Sequence, residues 1–159
     1  MMYMEYHIYL TVYAPSSPQR LIDIARLAFY SNIISGLIIV KPIGMAAQSG
    51  IPEVSKVAYK LDKKLIILPS IKDLRETLII NDIIFIVDSS HNVPDLEELQ
   101  IDFNNVIAIV IQGGEATFTK EDLALGRCAK ISEFLPGLSS AVAEATAAIL
   151  KIYRKVKYK

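Results

Sequence analysis

The sequence predicts an α/β fold in which a mainly parallel sheet carries helices on both faces. Short runs rich in Ile and Val recur along the chain, mostly without apolar/polar alternation, as is typical of strands buried on both faces. Segments with helical spacing separate them, and regular alternation of strand and helix indicates a parallel sheet. The predicted strands cover residues 7–12, 36–40, 65–68, 83–87 and 106–111, and the predicted helices cover 17–30, 52–63, 71–78, 95–100 and 138–156.

The first helix and the loop after the second strand carry the clearest local signals. Ser17 can cap the helix, and Pro18 then occupies its first position, where a missing N–H costs nothing. The loop 41–50 contains Pro42, Gly44 and Gly50 and is the one long irregular connection. It could face a substrate or be an ordinary surface connection.

The composition favours a single domain covering residues 1–159. Lys and Arg number 17, as do Asp and Glu, so no overall field attracts polyanions. Cys128 is the only cysteine, which fits a reducing compartment, and we expect the cytoplasm. The hydrophobic fraction is 52%, yet no apolar run reaches the roughly 18 residues of a membrane span. We therefore expect no membrane partner and a homodimer that buries the excess apolar surface.

Several familiar chemistries lack their motifs in this sequence. The dinucleotide-binding fingerprint, the P-loop and the serine-hydrolase elbow are all missing. His7 and His91 are far apart and in no metal-ligand pattern, so no metal is expected. A metal-dependent nuclease remains a distant hypothesis, because the Glu-x-Lys that such enzymes pair with an Asp occurs nowhere in the chain.

The segment 105–153 carries the most informative order of features. An apolar strand leads into Gln112-Gly113-Gly114-Glu115, a second strand ends near Ile131, and the loop 132–137 precedes the long final helix. This order resembles the SpoU branch of the SPOUT methyltransferases. There one strand leads into Gly-Asn-Glu-Gly-x-Gly and the next into Ile-Pro-Met-x-Gly-x-x-x-Ser-Leu-Asn-Val-Ser-Val-Ala. Aligned without gaps, the family's Glu, Ile, Ser, Val and Ala fall on Glu115, Ile131, Ser139, Val142 and Ala145.

A third block lies near the N-terminus. The family motif Asn-Pro-x-Asn-x-Gly-x-Ile-x-Arg-Thr-Ala places its Pro, Ile, Arg and final Ala on Pro18, Ile24, Arg26 and Ala28. The chain thus resembles a divergent, minimal SpoU-like protein of archaeal type over nearly its whole length. The resemblance implies a C-terminal trefoil knot, S-adenosylmethionine as cofactor, RNA (tRNA or rRNA) as partner and an obligate homodimer.

The resemblance also names candidate site residues. Those for the cofactor are Ser89, Gly113, Gly114, Ile131, Leu135 and Ser139. Those for catalysis are Arg26, Glu115 and Ser139.

Structural alternatives stand beside three of these assignments. Gly113-Gly114 could be a tight turn that needs φ > 0. Arg26 could belong to a surface ion-pair ladder with Arg20 and Asp23. Glu115 could simply be an acid favoured by the dipole of the following helix.

The expected function is an S-adenosylmethionine-dependent RNA methyltransferase that modifies a ribose 2′-O or a base. A second hypothesis is a protein of this fold that binds cofactor or RNA without transfer, because Ser17, Arg20 and Ala141 replace family asparagines. The basic C-terminal residues 151–159 suit either phosphate contacts or a helix dipole.

Overall fold

One parallel six-stranded sheet forms the centre of the molecule in the computed structural model, which describes residues 5–158. Its strand order is β3-β2-β1-β5-β4-β6, and every neighbouring pair is parallel. The strands are β1 (His7–Tyr13), β2 (Gly36–Val40), β3 (Lys64–Leu68), β4 (Asp82–Ile86), β5 (Val106–Gln112) and β6 (Arg127–Ala129). The predicted fold class is confirmed.

Helices lie on both faces of the sheet, with the long ones on one side. The helices are α1 (Pro18–Phe29), α2 (Ile51–Leu61), α3 (Asp73–Glu76), α4 (Lys120–Leu123) and α5 (Ala141–Lys157). The first, second and fifth share a core with one face of the sheet. The two short helices and their flanking loops cover the opposite face. Burial on both faces explains why the central strands read as unbroken apolar runs.

Side-chain caps fix where α1 and α5 begin. The Ser17 hydroxyl accepts a hydrogen bond from the Arg20 N–H at 3.3 Å, and Pro18 is the first helical residue, as predicted. Ser140 caps α5 in the same way, accepting from the Ala143 N–H at 3.3 Å. The last helix therefore begins at Ala141 and not at Leu138.

The predicted helix 95–100 is wrong. Asp95 forms an isolated bridge with Lys130, and the residues after it make turns. Its carboxylate accepts hydrogen bonds from the N–H groups of Glu97 and Ser132, both at 2.8 Å. Such side-chain bonds give the backbone an alternative to a helix.

The loop 41–50 is more regular than expected. Ala46–Gly50 form a π-helical turn that continues directly into α2. Residues 44 and 45 are already helical, so the irregular part ends at Ile43.

No helix among the described residues is long and apolar enough to cross a membrane.

Candidate ligand pocket

The carboxyl ends of β4 and β5 open into a cavity of about 560 Å³, here called the strand-end pocket. Ligands of parallel α/β sheets gather beyond this edge. The pocket is lined by Asp88 and His91 after β4, by 112–115 at and after the end of β5, by 137–141 before and at the start of α5, and by Arg20 and Glu144 from the helices. Three chain segments far apart in sequence therefore converge on one cavity.

Gly113 and Gly114 make this convergence sterically possible. A Cβ on Gly113 would lie 2.6 Å from Cγ1 of Val12 and 2.9 Å from Cα of Pro15. A Cβ on Gly114 would lie 2.9 Å from Oγ of Ser16. Neither glycine has a positive φ, which in the described chain only Gly44 and Gly137 among glycines adopt. The pair is therefore needed for close approach of the segments after β1 and β5, not for a left-handed turn.

Asp88 joins two sides of the pocket. One carboxylate oxygen accepts from the Ser90 N–H at 3.1 Å and the other accepts from the Gly137 N–H at 2.8 Å. Hydrogen bonding from Ser90 and Gly137 lowers the pKa of Asp88 to about 2. The side chain is thus ionised at neutral pH and holds the loop before α5 against the loop after β4.

Glu144 lines the same pocket as Asp88, but its surroundings and its pKa are different. It lies in the first turns of α5, and no hydrogen bond or ion pair involves its carboxyl within residues 5–158. Burial, together with the nearby charge of Asp88, raises the pKa of Glu144 to about 7. The pocket therefore contains one carboxyl that can gain or lose a proton near neutrality.

The predicted cofactor residues fall into two neighbouring places. Gly113, Gly114 and Ser139 line the strand-end pocket, as does the predicted catalytic Glu115. Ser89, Ile131 and Leu135 instead line a small adjoining cleft that shares Asp88 and Glu144 with the pocket. The Ser89 hydroxyl is buried there without a hydrogen-bond partner in the described chain.

Arg26 lies elsewhere. It is exposed and lines a groove of about 700 Å³ between α1 and α5, here called the α1–α5 groove. The arginine that lines the strand-end pocket is Arg20. In the described structure Arg20 and Arg26 form no ion pair with Asp23, whose carboxylate accepts instead from the Gln19 amide at 3.0 Å. The ion-pair ladder is therefore not formed.

The basic C-terminal residues are largely used within the chain. Lys151 is buried and contacts Asp95 at 2.8 Å and Glu133 at 2.7 Å. Arg154 contacts the Glu97 side chain, and Lys155 donates to the Glu97 carbonyl at 2.7 Å. Lys159 lies outside the described residues.

The pocket does not fit a divalent cation. Within residues 5–158, no group of three or more His, Cys, Asp or Glu side chains could hold a metal ion. Both oxygens of Asp88 already accept backbone hydrogen bonds.

Sequence reasoning missed Asp88 and Glu144. Asp88 comes two residues after β4, where the strand-end rule would have found it. Glu144 is the only charged residue in the Ala-rich stretch 141–148. An isolated acid in a small-residue helix is the signal that was available.

A family model described as "RecB-family nuclease (DUF2122)" matches residues 44–154. The chain belongs to this family. A "putative type II restriction enzyme" of Methanocaldococcus jannaschii is 29% identical over 122 residues, which cover 75% of this chain and 80% of that protein. Another, from Aeropyrum pernix, is 48% identical over 58 residues, which cover 36% of each chain.

The solved structures that are similar to this chain are named methyltransferases, not nucleases. The SpoU methyltransferase AviRb of Streptomyces viridochromogenes, in complex with the cofactor AdoMet (S-adenosylmethionine), has a TM-score of 0.75 at 17% identity over 99% of this chain and 63% of that chain. An AdoMet-bound rRNA methyltransferase of Sinorhizobium meliloti has a TM-score of 0.67 at 17% identity over 96% of this chain and 58% of the other. At such identities the likeness shows the fold alone. The chain has the fold of SpoU methyltransferases.

These comparisons correct the functional prediction. The expectation of an RNA methyltransferase is wrong, because the chain belongs to a family described as a nuclease and its two curated relatives are named restriction enzymes. The sequence resemblance predicted the fold correctly and the activity incorrectly. Its finer implications, namely the knot and the archaeal-type placement, stay predictions.

Proposed function

We propose that this chain is a nucleic-acid-directed protein whose strand-end pocket binds S-adenosylmethionine. The observation that carries this is the convergence of the segments after β4 and β5 and the loop before α5 on one cavity of about 560 Å³. That volume is in the range of small-molecule sites. We assign no methyl transfer to the chain.

The residues present fit this ligand. The loop before α5 brings Leu138 and Ser139 to the pocket, giving an apolar side chain and a hydroxyl. Arg20 offers a cation for the ligand's carboxylate, and Asp88 holds Gly137 in place beside it. Solved structures of the same fold with AdoMet bound support this choice of ligand.

Calorimetric titration with S-adenosylmethionine tests the proposal. We expect saturable binding that weakens in Gly113→Ala, because the added methyl group would force the pocket wall away from Val12 and Pro15. If millimolar S-adenosylmethionine gives no heat of binding, the proposal is wrong. Leu61→Ala, at the far end of α2, is a control that changes apolar packing outside the pocket.

We further propose a homodimer formed through the α1–α5 groove, with a second copy of the chain as its occupant. The groove presents Tyr30, which is 71% exposed, and Leu150, which is 52% exposed, beside Ile149 and Tyr153. Contiguous exposed apolar side chains are typical of interaction surfaces. Sedimentation should show a dimer that Leu150→Glu converts to a monomer, whereas Tyr59→Glu, at the 91% exposed Tyr59 of α2, should stay dimeric. A wild-type monomer at high concentration would contradict it.

Cleavage of nucleic acid is a second candidate function, favoured by membership in the nuclease family. Arg20, His91 and Glu144 line the same pocket and comprise a cation, an imidazole and a carboxyl whose pKa burial raises to about 7. Incubation with labelled RNA and DNA should then give fragments that Glu144→Gln reduces at least about a hundredfold, the size of a general acid–base contribution. Equal cleavage by this variant would exclude Glu144 as the general acid or base.

A further inference from the structure

Glu144 stands in a place where the fold does not require a charge. Its neighbours in α5 are small or apolar: Ala141, Val142, Ala145 and Ala148. The family motif quoted above has valine where this chain has Glu144. A valine at this position would pack against its apolar neighbours. The carboxyl therefore gives the pocket a titratable negative charge that the fold does not require.

The surroundings of Glu144 leave its charge uncompensated. It borders both the strand-end pocket and the adjoining cleft, so a ligand in either would lie next to it. The other charged or titratable side chains that line these cavities are Arg20 from α1, Asp88 and His91 after β4, and Glu115 after β5. Arg20 is the one permanent cation, and no ion pair links it to Glu144 in the described chain.

Asp88 cannot supply a partner and instead adds to the negative potential. Both of its oxygens are occupied by the N–H groups of Ser90 and Gly137, and it stays ionised near Glu144. Two carboxylates with few compensating cations disfavour a second negative charge in the empty pocket. A positive charge in the pocket would reverse that preference.

We propose that Glu144 makes the strand-end pocket selective for a ligand that carries a positive charge, so that it distinguishes S-adenosylmethionine, a sulfonium ion, from S-adenosylhomocysteine, the uncharged thioether. Glu144 can act in this way only if the pocket takes S-adenosylmethionine, as proposed above. The two ligands share their adenosine, amino and carboxylate groups, so a difference in affinity reports on the methylated sulfonium, and its change with pH reports on the charge.

The selectivity should depend on pH. The pKa of Glu144 in the empty pocket is about 7 because of burial and of Asp88. At pH 8 most molecules carry the ionised carboxylate, whereas at pH 6 only about one in ten does. Binding of the sulfonium at pH 6 must first release a proton, which weakens it by about tenfold relative to pH 8.

The experiment is calorimetric titration of the full chain with both ligands at pH 6 and pH 8. We expect S-adenosylmethionine to bind at least about tenfold more tightly than S-adenosylhomocysteine at pH 8, and we expect this ratio to fall by about tenfold at pH 6. Glu144→Gln should show a smaller preference for S-adenosylmethionine, due to the ionised Asp88 alone, and the same ratio of affinities at both pH values. Glu121→Gln removes the same charge from the exposed surface of α4 and should behave as wild type.

The outcomes separate the two proposals. The role of Glu144 is overturned if the ratio of the two ligand affinities in wild type is the same at pH 6 and pH 8. It is also overturned if Glu144→Gln keeps the wild-type preference. In both cases the ligand assignment stands. If wild type binds neither ligand, both proposals are overturned. The wild-type comparison needs no variant, so it holds even if Glu144→Gln does not fold.

Discussion

Two acidic side chains, Asp95 packed against α5 and Glu144 within α5, lie in opposite electrostatic settings. Asp95 meets Lys151 at 2.8 Å and also accepts from the N–H groups of Glu97 and Ser132. Glu144, two helical turns before Lys151 and on the same face of α5, has no such partner in the described chain. Burial would raise the pKa of Asp95, yet its hydrogen bonds outweigh that and hold the pKa well below its usual range. At Glu144 burial acts without opposition and the pKa rises to about 7.

The comparison shows how one helix can serve the fold and a ligand. The Lys151 end is electrostatically complete, because its ammonium also donates to Glu133 at 2.7 Å. These contacts tie α5 to the turn after Asp95 and to the loop after β6. Near the other end of the helix, Glu144 has no cationic partner in the described chain. A positively charged ligand in the adjacent pocket would supply that partner.

Lys151→Met should give the largest effect on stability. Removal of the ammonium leaves Asp95 buried without its cation, and breaking a buried pair in this way costs about 3–5 kcal/mol. Urea unfolding measures the loss. Lys56→Met breaks the exposed pair with Glu53 in α2 and should cost no more than about 0.5 kcal/mol. Equal losses in the two variants would show that the buried pair is not special.

Glu144→Gln should stabilise the protein in a pH-dependent way. The folded-state pKa of about 7 lies above the ordinary value of 4.5, so the folded form holds this proton more tightly than the unfolded form. Wild type therefore loses stability as pH rises from about 4.5 to 7, and the variant does not. The gain in free energy of unfolding should be on the order of 2–3 kcal/mol at pH 8 and should shrink toward pH 5. A gain that does not vary with pH would contradict the shifted pKa.

Asp95 should give the opposite slope. Its folded-state pKa is lowered, so its contribution is present above the ordinary value of 3.8 and is lost as pH falls below it. Acid unfolding of wild type should therefore be resisted down to lower pH than in Asp95→Asn. Identical pH midpoints of acid unfolding in the two proteins would contradict the paired state of Asp95.

Gly113→Ala should give a smaller effect, about 1–2 kcal/mol, because the new methyl group overlaps Val12 and the backbone of Pro15. Gly50→Ala is the matched control, since its Cβ would meet Leu21 and Pro18 at a looser 3.3 Å inside a helical turn. There the gain in helix propensity, about 1 kcal/mol, offsets the crowding. Thermal unfolding of both variants should show a clear loss only for Gly113→Ala.

Local signals explain what the sequence predicted well. Apolar runs marked the five long strands, and Ser17 with Pro18 marked the start of α1, because caps and strand burial depend on neighbouring residues. The turn at Asp95 depended on Ser132, which lies 37 residues away. No local pattern reports such a contact.

The candidate site was predicted less completely, for reasons of geometry. Arg26 aligned with a family motif, but six residues on a helix separate it from Arg20 by about 240° of rotation. Arg20 consequently lines the strand-end pocket and Arg26 the α1–α5 groove. Gly113 and Gly114 line the strand-end pocket, where close packing between two loops requires them, and their contact with a cofactor stays a prediction.

The titration of Glu144 followed by carboxyl carbon NMR tests the central claim most directly. In the free protein its midpoint should lie near pH 7, and saturating S-adenosylmethionine should move it down by at least about one pH unit, because the sulfonium favours the ionised form. Glu144→Gln identifies the resonance by its absence. A midpoint near the ordinary value of 4.5 that the ligand leaves unchanged would contradict both the unpaired state of Glu144 and its part in the pocket.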